Sequence, residues 1–492
     1  MTGSHTHTVD DYQFSFADKI EAWLTLTHLD DWQSSVSMVA SGMVAQKLSL
    51  LLVLTSLACA DGLKHFPISE FGAVADGKTI NTAAIQKAID QAASEGGGVV
   101  VIPAGTYRSG SIFLKTGVEL ELVGNAVLLG STQIEDYPKR ETRIEGHFEP
   151  WRMALVNAQQ MDRVRISGKG VIDGNGITFW AQFWQRRREN PKCTNLEVER
   201  PRMMFIDRCK DVRISGITLR YSGFWNLHLY RCRDVIIDGL SITAPTRHTK
   251  HRNYMTDAIL KGMKNDAQVR NSPIKDNILG PSTDGIDIDS SQKVTIRNCY
   301  ISVNDDNIAL KGSKGPLADQ DKDSPPVEDI LVENCEFGDG NGMLTCGSEA
   351  TAVRNVTVRN CKISGDATML TLKLRPDTPQ HYENILIEDI TLEGGQGRML
   401  NVAPWKQFFD LKGHAPPSRT VNNITLRNIR GEFFTLGSLG GNPGDTLRDI
   451  TFENIALKLV DPNLELGDVK NFEIKNVLLN GIPYQAPAST GP

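Results

Sequence analysis

A short phrase of alternating apolar and polar residues returns ten times, and it constrains the fold more than any other feature of the chain. Examples are DVRISGITL at 211–219 and NVTVRNCKI at 355–363. From residue 211 onward, successive copies start 22 to 59 residues apart, which fits a period of about 22–26 residues with loops inserted between some copies. The copies occupy 163–171, 211–219, 234–242, 293–301, 329–337, 355–363, 384–392, 423–431, 449–457 and 471–479.

The alternation within each copy predicts short strands with one buried face. From residue 211 onward, no stretch between copies has room for a regular helix, so βαβ units are excluded. A coil of short strands stacked in parallel along one axis aligns the apolar positions into continuous internal rows. The sequence therefore predicts an all-β, single-stranded parallel β-helix.

Two columns of identical residues support the stacking. Several asparagines occupy one slot of the repeat, and asparagine tolerates the left-handed backbone of a tight corner. Cysteines recur in two further slots, where thiols act as small apolar groups, so we expect buried free cysteines rather than disulfides. The asparagines are Asn298, Asn334, Asn360, Asn428, Asn454 and Asn476, and the cysteines are Cys299, Cys335 and Cys361, with Cys209 and Cys232 in the second slot.

The N-terminal part of the chain differs from the repeats. Residues 71–114 contain one helical pattern, which Thr82 would cap and Gly96 to Gly98 would end. Such a helix would cover the open end of the coil. We expect one catalytic β-helix domain over 61–484, followed by a flexible tail at 485–492.

The apolar run 48–58 indicates a leader. It follows Lys47 and ends at Ala58-Cys59-Ala60, as in a signal peptide, and it is too short to span a bilayer. We therefore interpret 43–60 as a signal peptide and 1–42 as an upstream mis-start or unstructured segment. A buried helix and a lipoprotein anchor at Cys59 are the alternatives. The protein is expected to be secreted or periplasmic, without a membrane span.

The overall charge narrows the possible partners. A formal net charge of −6 is small for 492 residues and argues against a nucleic-acid partner. The content of 40% hydrophobic and 23% charged residues is typical of a globular domain. We expect a monomer.

Acidic residues concentrate in two segments about one coil apart. STDGIDIDS at 282–290 and NDDNIALKGS at 304–313 should lie on neighbouring strands, about 4.8 Å apart. The next two repeats add an amide and two outward-pointing cations. The group comprises Asp284, Asp287, Asp289, Asp305, Asp306, Lys311, Asn341, Lys373 and Arg375.

These residue types match the needs of glycosidic hydrolysis in an acidic sugar. Crowded carboxylates repel, so the pKa of one rises while another stays ionised. Hydrolysis uses one protonated acid for the leaving oxygen and one carboxylate to activate water. The cations Lys373 and Arg375 could bind the carboxylate of a uronic acid. Some of the aspartates, notably Asp287 and Asp289, could instead cap turns.

The order of several motifs resembles glycoside hydrolase family 28, the polygalacturonases and rhamnogalacturonases. The likeness covers nearly all of the chain after the leader, from FGAVADGKTINTAAIQKAI at 71–89 through STDGIDIDS and NDDNIALKGS to KLRPDTPQ at 373–380. The resemblance implies a right-handed, pectin-lyase-like solenoid, an inverting mechanism, and no cofactor or metal. It assigns Asp305 as the general acid, Asp284 and Asp306 to the attacking water, and Lys311 as the lysine that follows the aspartate pair.

The chain departs from the family pattern at three places. Ser282 stands where the family has asparagine, Asn341 replaces a histidine, and Lys373 and Arg375 exchange the usual order of the two cations. Asn341 can form hydrogen bonds but cannot carry a proton. These changes suggest a different linkage, a different subsite sugar or weak activity.

Other segments could contribute to substrate binding. His228 in FWNLH could contact substrate or be structural, and FWAQFWQRRREN at 179–190 could form either a sugar platform or a solvated loop. The insertions 246–280 and 313–326 would emerge beside the acidic cluster, and walls there would favour exo cleavage.

Two rival functions remain open from the sequence. A lyase on the same coil would hold Ca²⁺ on the aspartates and use a basic residue as base. A non-catalytic carbohydrate-binding β-helix is the second rival, and retention of Asp284, Asp305 and Asp306 argues against it.

Overall fold

The first five copies of the repeat each form two strands of a right-handed parallel β-helix, joined at a tight corner, and the last five each lie within one longer strand. The copy at 211–219, for example, contains the strands Lys210–Ser215 and Thr218–Arg220. A third strand, outside the phrase, completes each full coil. The computed structural model describes residues 63–246, 279–394 and 397–485, so the predicted leader at 43–60 and nearly all of the predicted tail and the insertion 246–280 lie outside the described residues.

Three parallel sheets run along the helix axis. The first sheet contains the strands His65–Pro67, Gly98–Ile102, Val118–Leu122, Asp162–Gly168, Lys210–Ser215, Arg233–Asp238, Gln292–Arg297, Val327–Glu333, Ala352–Ile363, Gln380–Glu393, Arg419–Leu439, Thr446–Leu466 and Val469–Leu479. The second sheet contains Asp76–Ile80, Gly105–Ser109, Ala126–Gly130, Val171–Asp173, Thr218–Arg220, Ser241–Thr243, Tyr300–Ser302 and Glu336–Phe337, and ends on Ala352–Ile363. The third sheet contains Ile112–Phe113, Val156–Gln159, Met204–Asp207, Leu227–Tyr230, Ile286–Asp289, Ile308–Lys311, Leu344–Cys346, Leu370–Leu374 and Arg398–Pro404, and ends on Arg419–Leu439.

The internal apolar rows follow the register of the repeat. Val235 pairs with Val294, Val294 with Ile330, and Ile330 with Val356 in successive coils of the first sheet. All four side chains are buried. Each row buries apolar surface that a single coil would leave exposed, so stacking provides the hydrophobic stabilisation. The predicted coil is confirmed.

The asparagine column forms a corner ladder. Its six members have φ between 51° and 57°, the left-handed conformation predicted from their slot. Their side chains bond along the axis: Asn454 Nδ2 donates to Asn428 Oδ1 at 3.3 Å, and Asn476 Nδ2 donates to Asn454 Oδ1 at 3.0 Å. The seven cysteines in the described residues are buried and free, as predicted.

The cap helix, α1, spans Thr82–Ser94 and packs its apolar face against the end of the coil. The prediction that Thr82 would cap this helix was wrong by one residue, because Asn81 occupies the N-cap position. The Thr82 hydroxyl instead accepts a 2.7 Å hydrogen bond from the backbone N–H of Gly110. It thereby ties α1 to the coil that it covers.

The segment predicted as a sugar platform or a loop is a second helix, α2, at Ile177–Glu189. Three of its own side chains, Phe179, Trp180 and Phe183, are buried. They therefore hold the helix to the body of the protein and do not form an exposed platform. Sequence reasoning missed the helix because its apolar residues all lie in its first eight positions and do not recur with a helical period along its length.

The remaining elements decorate the coil. An antiparallel hairpin consists of Lys139–Ile144 and His147–Arg152, and Ile482–Pro483 turns back on the last long strand. None of the described helices is both long and apolar enough to cross a membrane. Within the described ranges, short 3-10 helices lie at Ile68–Phe71, Ile134–Asp136, Asn195–Glu197 and Ala318–Gln320.

Candidate active site

A cavity of about 440 Å³ lies where strands of the third sheet begin. Asp284 comes two residues before the strand Ile286–Asp289, while Asp305 and Asp306 come just before Ile308–Lys311. These two strands are paired in register. The repeat thus brings all three predicted carboxyl groups to one spot on the cavity wall.

The three carboxyl groups form a tight cluster. One oxygen from each of Asp284, Asp305 and Asp306 lies within 4.8 Å of the others. Asp284 and Asp306 are buried, and Asp305 is half-buried at the cavity surface. Such crowding in a poorly solvated place disfavours ionisation of all three groups at once.

Asp306 is held by two donors from later coils. Its Oδ2 accepts a 2.6 Å hydrogen bond from Lys373 Nζ, and its Oδ1 accepts one of 2.8 Å from the Thr345 hydroxyl. Both bonds fix the orientation of Asp306, and the ammonium group of Lys373 places a positive charge beside it. Asp306 therefore fits the role of a charged group that acts on water.

Asp305 has neutral donors. Its Oδ1 accepts hydrogen bonds from Asn341 Nδ2 and from the backbone N–H of Asp306, both at 3.0 Å. Burial, followed by the charges of Asp284 and Asp306, raises the pKa of Asp305 to about 7. A carboxyl group with this pKa is protonated in mildly acidic solution and suits the role of general acid.

Lys311 lies between two buried acids. Its Nζ is 3.4 Å from Asp284 Oδ2 and 3.4 Å from Asp287 Oδ1, and it sits 4.7 Å from the centre of the Trp225 ring. Burial and then the neighbouring Asp287 hold the pKa of Asp284 well above its usual range. Lys311 offsets part of that repulsion and anchors the acidic side of the cavity.

Arg375 lines the cavity, but most of its donors are already used. Its Nε and Nη2 donate to the two oxygens of Asp377, both at 2.9 Å, and Nη2 also donates to the Phe408 carbonyl. Asp377 in turn accepts from the backbone N–H of Asp410. The pair therefore anchors the loop that carries Trp405 and Phe408 along the cavity wall.

Two residues predicted to bind substrate are not at the cavity surface. His228 and Asp287 are paired neighbours in the third sheet, and both are fully buried. His228 Nδ1 lies 2.8 Å from Arg202, and its Nε2 lies 3.4 Å from Asp289. Burial lowers the pKa of His228 to about 4. The expectation of substrate contact fails for both residues, because hairpin and loop residues cover this part of the outer face of the sheet.

The hairpin supplies part of this cover. Arg143 donates a 2.9 Å hydrogen bond to Asp289, and Arg202 donates to the Arg143 carbonyl. Although burial raises the pKa of Asp289, the charge of Arg143 holds that pKa below its usual range. Asp289 is thus a structural ion-pair partner and lies outside the cavity lining.

Several cavity residues were missed by sequence reasoning. Glu349 and Lys314 follow strands of the third sheet, so their spacing from the aspartates was a usable signal. Glu145 and Arg187 come from the hairpin and from α2, which precede the aspartates by about a hundred residues or more. No repeat spacing points to them.

The aspartate cluster could also hold a cation. Three oxygens within 4.8 Å of one another match the preference of Ca²⁺ for carboxylate ligands. However, Lys373 at 2.6 Å from Asp306 and Lys311 at 3.4 Å from Asp284 already supply positive charge there. The arrangement is therefore better suited to acid–base chemistry.

Comparison with known proteins agrees with this chemistry. The sequence model of glycosyl hydrolases family 28 matches residues 99–480. A probable polygalacturonase from Vitis vinifera is 30% identical over 408 residues, covering 79% of this chain and 73% of its own length. An exo-poly-alpha-D-galacturonosidase from Dickeya chrysanthemi is 25% identical over 489 residues, covering 92% of this chain and 76% of its own.

Solved structures share the fold. The crystal structure of an exopolygalacturonase from Thermotoga maritima matches with a TM-score of 0.67 at 21% identity, over 86% of this chain and 93% of that one. The polygalacturonase from Erwinia carotovora matches with a TM-score of 0.58 at 18% identity, over 85% and 97%. With its parallel β-helix and its ordered aspartate cluster, the chain belongs to the glycosyl hydrolases of family 28.

Proposed function

We propose that this glycoside hydrolase cleaves galacturonosyl bonds in a pectic polysaccharide or its oligosaccharides, from a chain end and with inversion. The observation that carries the proposal is the contrast between two adjacent carboxyl groups. Asp305 has a pKa raised to about 7, whereas Asp306 accepts a 2.6 Å hydrogen bond from Lys373. Glycosidic hydrolysis needs one carboxylic acid and one carboxylate in this relationship.

In the proposed mechanism, Asp305 donates its proton to the glycosidic oxygen as the bond to the anomeric carbon breaks. Asp306 and Asp284 hold a water molecule that attacks the same carbon from the opposite face, and Asp306, the carboxylate paired with Lys373, accepts the one proton that the water loses. Positive charge that develops on the sugar ring is stabilised by the remaining carboxylate charge. General acid–base catalysis of this kind contributes roughly 10²–10⁴-fold in rate.

Asn341 replaces the histidine of the family pattern and contacts Asp305 directly. Its side chain donates a 3.0 Å hydrogen bond to Asp305 Oδ1, and its backbone N–H donates to the Asp305 carbonyl at 2.9 Å. An amide can orient Asp305 but cannot exchange a proton with it. Reprotonation of Asp305 after each turnover would then come from solvent.

Exo cleavage is supported by what surrounds the cavity. The hairpin contributes Glu145 and His147 to the lining, while the loop after α2 contributes Asn195 and the loop after Arg398–Pro404 contributes Trp405. Walls from three separate insertions enclose the aspartates on more than one side. A cavity of this kind accommodates a chain end more readily than the middle of a long polymer. The relative from Dickeya chrysanthemi is itself named as exo-acting.

Export is the second part of the proposal. The run 48–58 has the length and flanks of a signal peptide, and pectic polymers are extracellular substrates. Amino-terminal sequencing of the protein recovered outside the cytoplasm should find a start near Asp61. A protein retained in the cytoplasm with its leader intact would contradict export.

Product analysis on polygalacturonate, rhamnogalacturonan and their oligomers tests the function. We expect short reducing products from the first minutes while the viscosity of polygalacturonate falls slowly, because each cut removes only a terminal unit. Asp305→Asn serves as the inactive control. A fast fall in viscosity would indicate endo cleavage, and an unsaturated product that absorbs ultraviolet light would indicate a lyase. No turnover of any pectic substrate would contradict the proposal.

A further inference from the structure

The cavity holds equal numbers of acidic and basic side chains among the described residues that line it. Five carboxyl groups face five cations, so protein carboxyl groups offset most of the positive charge of the lining. An acidic sugar entering this cavity therefore needs a cation whose charge and donors are not already used by the protein.

Four of the five cations are paired with a protein carboxylate. Lys373 lies 2.6 Å from Asp306, and Arg375 lies 2.9 Å from Asp377. Lys311 is 3.4 Å from two aspartates, and Lys314 is 3.8 Å from Glu145. Since each cation is neutralised nearby, a sugar carboxylate beside it would also meet the repulsion of its partner.

Arg187 is the exception within the described part of the chain. It lines the cavity from α2, and no carboxylate oxygen of the described residues lies within 4.0 Å of its guanidinium group. Its Nε is buried without a hydrogen-bond partner. The guanidinium group lies 5.1 Å from the centre of the Phe183 ring, which supports it without neutralising it.

A second unneutralised guanidinium group lies close to Arg187. Arg200 is fully buried, is 4.3 Å from the centre of the same Phe183 ring, and donates only to the carbonyls of Pro281 and Asn195. The two carbonyls accept from Nη1 and Nη2, the Nε of Arg200 is buried without a partner, and the net charge of the group stays in place. The two arginines flank the same Phe183 ring, and only Arg187 lines the space that a ligand could occupy.

Arg187 stands on a rigid support. Phe183 is buried under α2, and Trp184 Nε1 donates a 2.9 Å hydrogen bond to the Leu279 carbonyl. The adjacent Arg186 pairs with Glu197 at 2.7 Å, which ties the end of the helix to the following 3-10 turn. A guanidinium group held in this way loses little conformational entropy when it binds an anion.

We propose that Arg187 is a specificity-determining residue that binds the carboxylate of a galacturonosyl unit in the cavity. The inference rests on the proposed function and identifies the group that selects acidic over neutral sugars. It replaces the expectation that Lys373 and Arg375 have this role, since both are engaged with Asp306 and Asp377.

Equilibrium binding to an Asp305→Asn background, measured by calorimetry at pH 6, tests the inference. The ligands are trigalacturonate and its trimethyl ester, which differ in charge but hardly in shape. Arg187→Gln should weaken trigalacturonate binding about ten- to hundredfold and leave ester binding within about twofold. Arg188→Gln is the matched control, because it removes the same charge from an exposed position on the same helix, and it should change neither affinity.

Two outcomes would overturn the inference. An unchanged trigalacturonate affinity in Arg187→Gln would remove Arg187 from substrate binding, and an equal loss for acid and ester would make its role structural. Should Arg187→Gln fail to fold, Arg187→Met keeps the packing on Phe183 and must show the same acid-specific loss. Failure of the wild-type enzyme to hydrolyse any galacturonate oligomer would instead contradict the proposed function, so the two failures are distinguishable.

Discussion

Lys373 Nζ lies 2.6 Å from Asp306 Oδ2, across two coils of the β-helix. The lysine therefore pairs with Asp306, the carboxylate that we assign to the attacking water, and its ammonium group is not free for a sugar carboxylate. The charge of Asp306 holds the pKa of Lys373 above its usual value despite burial. This pairing changes what substitution of Lys373 is expected to do.

Lys373→Ala should lower kcat at least tenfold on acidic and neutral oligosaccharides alike. Without the lysine, Asp306 keeps only the Thr345 hydroxyl as a side-chain donor and loses its cationic partner. Steady-state kinetics on trigalacturonate and its ester would measure the effect. If KM rose for the acidic substrate alone while kcat stayed unchanged, Lys373 would instead be a residue that binds the sugar carboxylate.

Asp305→Asn should reduce hydrolysis by roughly 10²–10⁴-fold with folding intact. The amide oxygen can still accept from Asn341 and from the Asp306 N–H, but the side chain no longer donates an acidic proton. A reducing-sugar assay and a thermal unfolding curve check the two halves of the prediction. Near-normal turnover would exclude Asp305 as the acid.

The pH dependence of the wild-type enzyme follows from the raised pKa of Asp305. A general acid works only when protonated, and burial together with Asp284 and Asp306 raises its pKa to about 7. The value of kcat/KM should therefore fall as pH rises through about 7, since this ratio reports groups of the free enzyme. A profile that stays flat to pH 9 would contradict the assignment.

Inversion of the anomeric carbon is expected from the roles of the aspartates. Asp284 and Asp306 could share one water molecule opposite Asp305. The resemblance to family 28 also implies inversion. The nearest oxygens lie within 4.8 Å, closer than the roughly 6.5–9.5 Å typical of inverting sites, so spacing does not carry this prediction. NMR of the first products distinguishes the outcomes, and initial release of the same anomer as in the substrate would contradict inversion.

Arg375→Ala should destabilise the protein by about 3–5 kcal/mol, because it leaves Asp377 buried without its cation. Arg375→Met combined with Asp377→Asn should cost less, since no buried charge remains. Urea unfolding gives both values, with Arg398→Ala as an exposed arginine control expected within about 0.5 kcal/mol of wild type. Equal losses in the single and the double variant would argue against the ion pair as the cause.

The coil and the aspartate cluster could be predicted because both depend on neighbours one period away. Alternation aligned Val294 with Ile330, and the left-handed slot aligned Asn454 with Asn476. The spacing of Asp284 and Asp305 then placed two carboxyl groups together. Each coil contacts mainly the coils next to it, so period and alternation carry most of the information about the stack.

The sequence by itself determined the β-helix, the buried thiols and the identity of the three clustered aspartates. Only the tertiary structure decided which charges pair and which remain free. It buried His228 under the hairpin, joined Lys373 to Asp306, and brought Arg187 from α2 to the cavity. Such contacts join segments that share no repeat spacing. Whether a charged side chain is neutralised depends on which insertion packs over it, and no local sequence pattern indicates that packing.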